Sequence, residues 1–311
     1  MSALAPLLAP LLTIVGPTGS GKSDLAIALA RRFDGEILNA DSLQVFTGFD
    51  IGTAKLPAAD RQSPPHHLFD LCTATETFTA GDFARAVKSL LPAITARGRL
   101  PILCGGTGFY LRALLRGLSP GPTASPALRA RLAQRPRLHR LLTRLDPAAA
   151  ARIHPHDRNK TLRALEIRLL TGQPAADTFA QGLDALTGYR TLQLGLDPPR
   201  HLLYANLDAR CLRMWQSGLL EETAHLLTLY PPTAKPFAAL GYKQAADCLA
   251  GRLAPPAALA EMQTKTRQYA KRQLTWFRAD TGTVWLPGFG TQPEIFEKSV
   301  LAAEQFLRSS V

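Results

Sequence analysis

The chain has 311 residues, 46% of them hydrophobic and 19% charged, with 36 Lys and Arg against 24 Asp and Glu. This composition can bury a core, which excludes an intrinsically disordered chain, and the length suits one large domain or two ordinary ones. The formal net charge of +12 suits either a polyanionic partner or a merely solubilising surface.

From Met1 to Val15 the chain is uncharged and apolar. It lacks the basic start of a secretory signal, is broken by Pro6 and Pro10, and runs straight into Gly16. Leu11–Val15 is therefore predicted to be a buried strand. Lys22–Phe33 follows as a helix, with Leu25, Leu29 and Phe33 on one stripe. Glu36–Asn39 is a short strand ending near Asp41, Gly81–Ala96 a helix, and Leu100–Cys104 a strand. After Gly105-Gly106-Thr107-Gly108, a helix runs through Arg116. Short strands alternating with helices imply a parallel sheet with crossover helices.

The pattern changes after Pro120-Gly121-Pro122. Ser125 to Thr171 reads as several short helices with no strand before about Thr191. Between Arg129 and Arg168 stand eleven Lys or Arg and only three acids, Asp146, Asp157 and Glu166. Thr191–Leu196 alternates as a strand, and Leu202–Trp215, Leu219–Leu229, Tyr242–Leu249 and Ala257–Phe277 read as helices. The expected architecture is α/β: a P-loop NTPase-like parallel sheet core, an inserted all-helical basic domain and a helical C-terminal part. Residues 1–120 begin the core, 121–189 form the insertion and 190–311 complete the core. No apolar run reaches the ~20 residues of a membrane helix. The four cysteines, Cys72, Cys104, Cys211 and Cys248, form no CxxC pair, as expected of free thiols in a reducing cytoplasm.

Gly16-Pro17-Thr18-Gly19-Ser20-Gly21-Lys22-Ser23 matches G-x-x-x-x-G-K-[ST] between a predicted strand and a predicted helix. Glycines let the backbone wrap so that successive N–H groups converge on an anion, and the helix N-terminus adds partial positive charge. Lys22 supplies a full charge to the phosphate oxygens, and Ser23 is a candidate Mg²⁺ ligand. The apolar strand Pro101–Cys104 ends in Gly105-Gly106-Thr107 rather than in the Asp of an ordinary P-loop ATPase, and Leu68-Phe69-Asp70 is an imperfect substitute. Group transfer is thereby favoured over an ATPase.

Asp41 follows the second strand at the carboxyl edge where ligands of open parallel sheets bind. Its carboxylate is either a proton acceptor or a helix N-cap. Thr107 is either an N-cap or a phosphate contact. His66 and His67 point in different directions, so a structural role is expected of them rather than metal binding.

GPTGSGKS at Gly16–Ser23, NADSLQVF at Asn39–Phe46, DIGTAK at Asp50–Lys55, HHLFD at His66–Asp70, AGDF at Ala80–Phe83, GGTGFYLRALLRGL at Gly105–Leu118 and KRQLTWFR at Lys271–Arg278 resemble bacterial tRNA dimethylallyltransferases (tRNA isopentenyltransferases). So do AAARIHP at Ala149–Pro155, RALE at Arg163–Glu166 and Gly241-Tyr242-Lys243. The resemblance spans nearly the whole chain in order. It implies transfer of a dimethylallyl group from dimethylallyl diphosphate to N6 of the adenosine 3′ of a tRNA anticodon. The P-loop would then hold the departing diphosphate with Mg²⁺, helped by Arg210, while Asp41 takes the amine proton with Lys22 and Thr107 beside it.

By the same resemblance, Asp41, Ser42, Leu43, Gln44, Thr107, Arg129, Asn159, Lys160, Thr161, Leu162, Arg163, Gly241, Tyr242, Lys243 and Lys271-Arg272-Gln273-Leu274-Thr275-Trp276-Phe277-Arg278 contact tRNA. The expected partners are the tRNA anticodon stem-loop and dimethylallyl diphosphate, with no membrane, and the chain is expected to act as a monomer. Three positions depart from the pattern. Asn206 precedes Arg210 where the family carries two Arg, Phe46 replaces a common Tyr, and Ala238-Ala239-Leu240 replaces an Arg-Cys-Val type run. A small-metabolite kinase shares the P-loop, and an RNA-binding module with a vestigial P-loop shares the basic surface.

Overall fold

The computed structural model describes residues 8–118, 121–180 and 184–309. Residues 1–7 of the uncharged N-terminal stretch and Pro120 of the Pro-Gly-Pro break lie outside the described residues. Two compact units are present: one runs to Leu114 and resumes at Thr187, and the other is Leu115–Leu186.

The first unit is built on a parallel sheet of six strands: β1 (Ala9–Val15), β2 (Gly35–Asn39), β3 (His66–His67), β4 (Leu100–Cys104), β5 (Tyr189–Leu196) and β6 (Thr283–Leu286). Their spatial order is β3-β2-β4-β1-β5-β6. β2 and β4 are buried at all five positions; β4 (LPILC) reads as a continuous apolar run, whereas β2 (GEILN) also buries the polar side chains of Glu36 and Asn39. β1 pairs in parallel with β4 through Leu12 and Ile102, and with β5 along its whole length, from Ala9–Tyr189 to Val15–Gly195.

Around the sheet lie helices α1 (Lys22–Arg32), α2 (Ala80–Ala96) and α3 (Gly108–Leu115). Among the described residues, the second unit contains α4 (Pro126–Ala133), α5 (Leu138–Leu145), α6 (Pro147–Arg152), α7 (Arg158–Thr171) and α8 (Ala175–Ala180). After it come α9 (Arg200–Gln216), α10 (Leu219–Leu229), α11 (Tyr242–Leu249), α12 (Pro255–Arg278) and α13 (Pro293–Arg308).

Three elements go beyond the sequence expectation. β3 is only two residues long, β6 is flanked by turns, and α13 buries Ile295, Ser299 and Ala303, with Phe296, Val300 and Leu307 packed beside them. β5 also starts two residues before Thr191.

One core joins Leu12 and Ile14 of β1 to Leu25 and Leu29 of α1 and Ile295 of α13. Another gathers Phe46, Phe49, Phe237 and Tyr242, with edge-on rings 5.4 Å (Phe49–Phe237) and 4.9 Å (Phe49–Tyr242) apart. Each such fully buried aromatic contributes about 1.5–3 kcal/mol. His67 and Arg97 both bond the buried Glu36, whereas His66 bonds Pro64 O, so the two rings serve different partners rather than one metal. Burial alone would raise the Glu36 pKa, but the hydrogen bonds from Arg97 and His67 outweigh it and hold the carboxyl low. Asp70 pairs with Lys55 (2.7 Å) and Arg61 (2.6 Å), which commits the imperfect metal-carboxylate candidate to two cations.

The second unit has its own core, including Leu132, Leu138, Leu142, Leu165 and Ile167. Glu166 is fully buried at its centre. It accepts from Ser125 N–H (2.6 Å), Arg129 (3.0 and 2.8 Å) and Arg163 (2.6 Å). Burial would raise the Glu166 pKa, but these bonds hold it below its usual value. Asp146 ties α6 to α8 through Ala149 N–H and Ala175 N–H.

Candidate active site

The carboxyl ends of β1, β2 and β4 lead into three loops on one edge of the sheet, the place where open α/β sheets bind ligands. The first loop is the phosphate-binding motif. Gly16, Gly19 and Gly21 take φ of 145°, 75° and 82°, values that L side chains rarely adopt. Gly21 caps α1, which points its first amides into the turn. Pro17 O is a hub: it accepts from the Ser20 hydroxyl (2.8 Å), Ser20 N–H (3.3 Å) and Lys22 Nζ (2.7 Å). Ser20 is thus fully buried and holds the turn rather than offering its hydroxyl outward.

Side chains from α9 and α12 grip the turn from outside. Asn206 Nδ2 donates to Gly19 O (2.8 Å), Arg210 donates to the Thr18 hydroxyl (3.2 Å), and Thr18 N–H donates to Gln273 Oε1 (2.8 Å). Asn206, at a position where the motif led us to expect Arg, therefore fixes a loop carbonyl instead of adding a second cation.

A cavity of about 1040 Å³ opens over this edge. Lys22, Ser23, Asp41, Arg210 and Gln273 all line it. Enclosure by protein drives the Lys22 ammonium down to about 8, with Arg210 adding to the fall and Asp41 opposing it. Burial likewise lowers the Arg210 pKa and pushes the Cys104 thiol at the cavity wall up to about 11. Tyr269, also on the wall, rises to about 12 through burial and the nearby Asp41 charge.

Asp41 is not a helix cap, because a turn and not a helix follows it. Its Oδ1 accepts Leu43 N–H (2.8 Å) and its own N–H donates to Asn39 Oδ1 (3.1 Å), which fixes the carboxylate at the cavity wall. Thr107 occupies the cap position of α3, but its hydroxyl accepts Ser42 N–H (3.1 Å) and donates to Ser42 Oγ (3.3 Å). It therefore props the loop that carries Asp41.

The structure sorts the residues expected to touch tRNA. Ser42, Leu43, Gln44 and Arg272 line the cavity. Asn159, Lys160, Lys271, Thr275 and Trp276 are exposed. Tyr242 is a correction: it is fully buried, donating its hydroxyl to Glu222 and accepting Gly52 N–H (3.1 Å), so it has no atom free for RNA. Gly241 is buried beside it, and Lys243 pairs with Asp247 (2.6 Å). Thr161 and Phe277 are also buried, and Leu162 and Leu274 are partly so. Arg278 pairs with Asp197 (2.7 Å), and the guanidinium groups of Arg129 and Arg163 are committed to Glu166.

Sequence reasoning missed Arg213 and Lys235 on the cavity wall, and Tyr269, expected to pack or stack on the basic helix, lies there too. A signal was present on α12, where Met262, Thr266, Tyr269 and Gln273 recur at helical spacing and all four line the cavity.

The IPP transferase family model matches residues 44–280. The chain belongs to the IPP transferase family. An IPP transferase relative, the tRNA dimethylallyltransferase of Solibacter usitatus, is 52% identical over 304 residues, which cover 96% of this chain and 99% of the relative. That of Koribacter versatilis is 48% identical over 92% of this chain and 95% of its own. The crystal structure of the full-length tRNA isopentenylpyrophosphate transferase from Bacillus halodurans superposes with a TM-score of 0.71 at 35% identity, covering 97% and 96% of the two chains. A eukaryotic dimethylallyltransferase, captured acting on tRNA, superposes with a TM-score of 0.82 at 28% identity over 96% of this chain and 80% of its own. Among the described residues, no helix is long and apolar enough to cross a membrane.

Proposed function

We propose that this IPP transferase moves a dimethylallyl group from dimethylallyl diphosphate to the N6 amine of the adenosine 3′ of a tRNA anticodon. The observation that carries the reading is that a phosphate-binding turn and a fixed carboxylate, Asp41, line one cavity. The amine nitrogen forms a bond to the allylic carbon as the C–O bond breaks. The diphosphate leaves with the bond's electrons and Asp41 accepts the amine proton. An exocyclic adenine amine is a weak nucleophile, so holding it in line beside a base is the main contribution asked of the protein. Lys22, Arg210 and the turn amides compensate the charge that develops on the leaving group. An anticodon-loop adenosine is unpaired, so turning it into the cavity costs only its stacking.

Among the described residues, no three His, Cys, Asp or Glu side chains converge as a metal cage. The hard oxygen of Ser23 beside the turn suits Mg²⁺, which retains waters and shares the substrate's phosphate oxygens. Bound there, Mg²⁺ would supply further neutralisation of the leaving diphosphate. The surplus of basic residues between Arg129 and Arg168 supports contact with stem phosphates. The four cysteines are free, which supports a protein of the reducing cytoplasm, and the residues assigned to the chemistry all come from one chain, which supports a monomer.

Incubation with radiolabelled dimethylallyl diphosphate, Mg²⁺ and unmodified tRNA is expected to yield N6-prenylated adenosine next to the anticodon. ATP turnover without prenyl transfer would instead identify a kinase, and RNA binding with neither activity a binding module.

A further inference from the structure

Gln273 is expected from sequence to face RNA, yet it is buried, with 6% of its surface exposed, and both ends of its amide are engaged within the chain. Oε1 accepts Thr18 N–H from the phosphate turn (2.8 Å), and Nε2 donates to Gly106 O from the loop after β4 (2.9 Å). The fit at Gly106 is close: a Cβ there would lie 2.2 Å from Nε2, so only glycine lets the amide reach across. The next residue, Thr107, holds Ser42 N–H, and Ser42 follows Asp41. One side chain thus touches the diphosphate cradle on one side and the support of the Asp41 loop on the other.

The helix that carries it is α12, which presents Lys271, Arg272, Thr275 and Trp276 at its exposed face on either side of Gln273. No proline or glycine interrupts α12 after its first turn, so a force on the exposed face moves Gln273 with the backbone.

We propose that Gln273 is a positioning residue that couples the two substrates, so that RNA held on the outer face of α12 changes the affinity of the phosphate turn for the donor's diphosphate. This inference rests on the tRNA reading above. The amide suits the task because it accepts and donates at once, whereas a carboxylate or a thioether of similar length cannot do both. Coupling of this kind is reciprocal, with the donor changing RNA affinity by the same factor.

The test uses the full chain with two probes: inorganic diphosphate with Mg²⁺, and an unmodified anticodon stem-loop RNA. Calorimetric titration gives the diphosphate affinity with and without saturating RNA. In the native protein the two values are expected to differ by about fivefold or more. In Gln273→Met, which keeps the volume and loses both hydrogen bonds, the ratio is expected to fall to within about twofold of one. The variant also leaves Thr18 N–H and Gly106 O without their partner and lowers the melting temperature, but structural damage of that kind shifts the diphosphate affinity alike with and without RNA and leaves the ratio at its native value. Gly106→Ala, which displaces the amide from the other side, is expected to uncouple in the same way and decides the matter if Gln273→Met does not fold. A native ratio of one, or a native-like ratio in a folded Gln273→Met or Gly106→Ala protein, would overturn the inference. Failure of the native chain to bind the RNA at all would overturn the tRNA reading itself and the inference with it.

Discussion

Replacing Asp41 by Asn separates the charge of the carboxylate from its shape. Asp41 Oδ1 accepts Leu43 N–H at 2.8 Å, and an Asn carbonyl oxygen can keep that bond, so the 41–43 turn survives while proton acceptance is lost. Loss of a positioned base lowers a rate by roughly 10²–10⁴-fold, or about 2.7–5.4 kcal/mol of barrier. Asp41→Ala additionally frees the Leu43 amide at about 0.5–1.5 kcal/mol, a further ~2- to 12-fold once the loop loosens. The expected order of kcat is therefore native, then Asn, then Ala, with tRNA affinity near native for Asn. Single-turnover prenyl transfer at saturating donor reads the chemical step directly. An Asn variant within threefold of the native rate would refute the assignment, because the reaction would then need no carboxylate at position 41.

Lys22 holds its proton below about pH 8 and releases it above. A diphosphate prefers the charged form, so kcat/KM for the donor is expected to fall about tenfold between pH 7 and pH 9, and a flat profile would contradict the cradle's dependence on that charge. Ser23→Ala should raise the Mg²⁺ concentration needed for half-maximal transfer, measured by metal titration, while leaving RNA affinity unchanged. Glu166→Gln puts an amide N–H₂ against an arginine in the core of the second unit. Because both guanidinium groups can turn toward water, the expected loss is about 1–3 kcal/mol, read as a lower urea midpoint, and an unchanged midpoint would show the cluster to be idle.

Much of this was legible from spacing and composition. The G-x-x-x-x-G-K-S run between a strand and a helix located the turn, and β4 was visible as an apolar run before Gly105. β6 was hidden because four residues between turns bury too little apolar surface to stand out, whereas α13 carries Ile295, Phe296, Val300 and Leu307 at helical spacing, a signal that periodicity could have found. The site was harder to read, since a motif gives residue types and not directions. Tyr242 and Gln273 stand in motifs that resemble RNA-contacting ones, yet long-range partners, Glu222 for one and Thr18 and Gly106 for the other, turn both side chains inward. Asn206 read as a missing cation because its partner, Gly19 O, is 187 positions away in the chain.

The sheet closes across the point where the helical unit interrupts the chain. β1 bonds to β4 on one side and to β5 on the other, so the ladder is continuous although the segments on either side of it are joined only through residues 115–186. No ladder bond depends on how long that detour is, and the entropic toll of a longer one grows only logarithmically. Drift in the length and charge of the excursion therefore leaves the ladder and the strand ends unchanged, and on the tRNA reading proposed above, exchanging it between relatives is expected to alter RNA affinity without altering the chemistry.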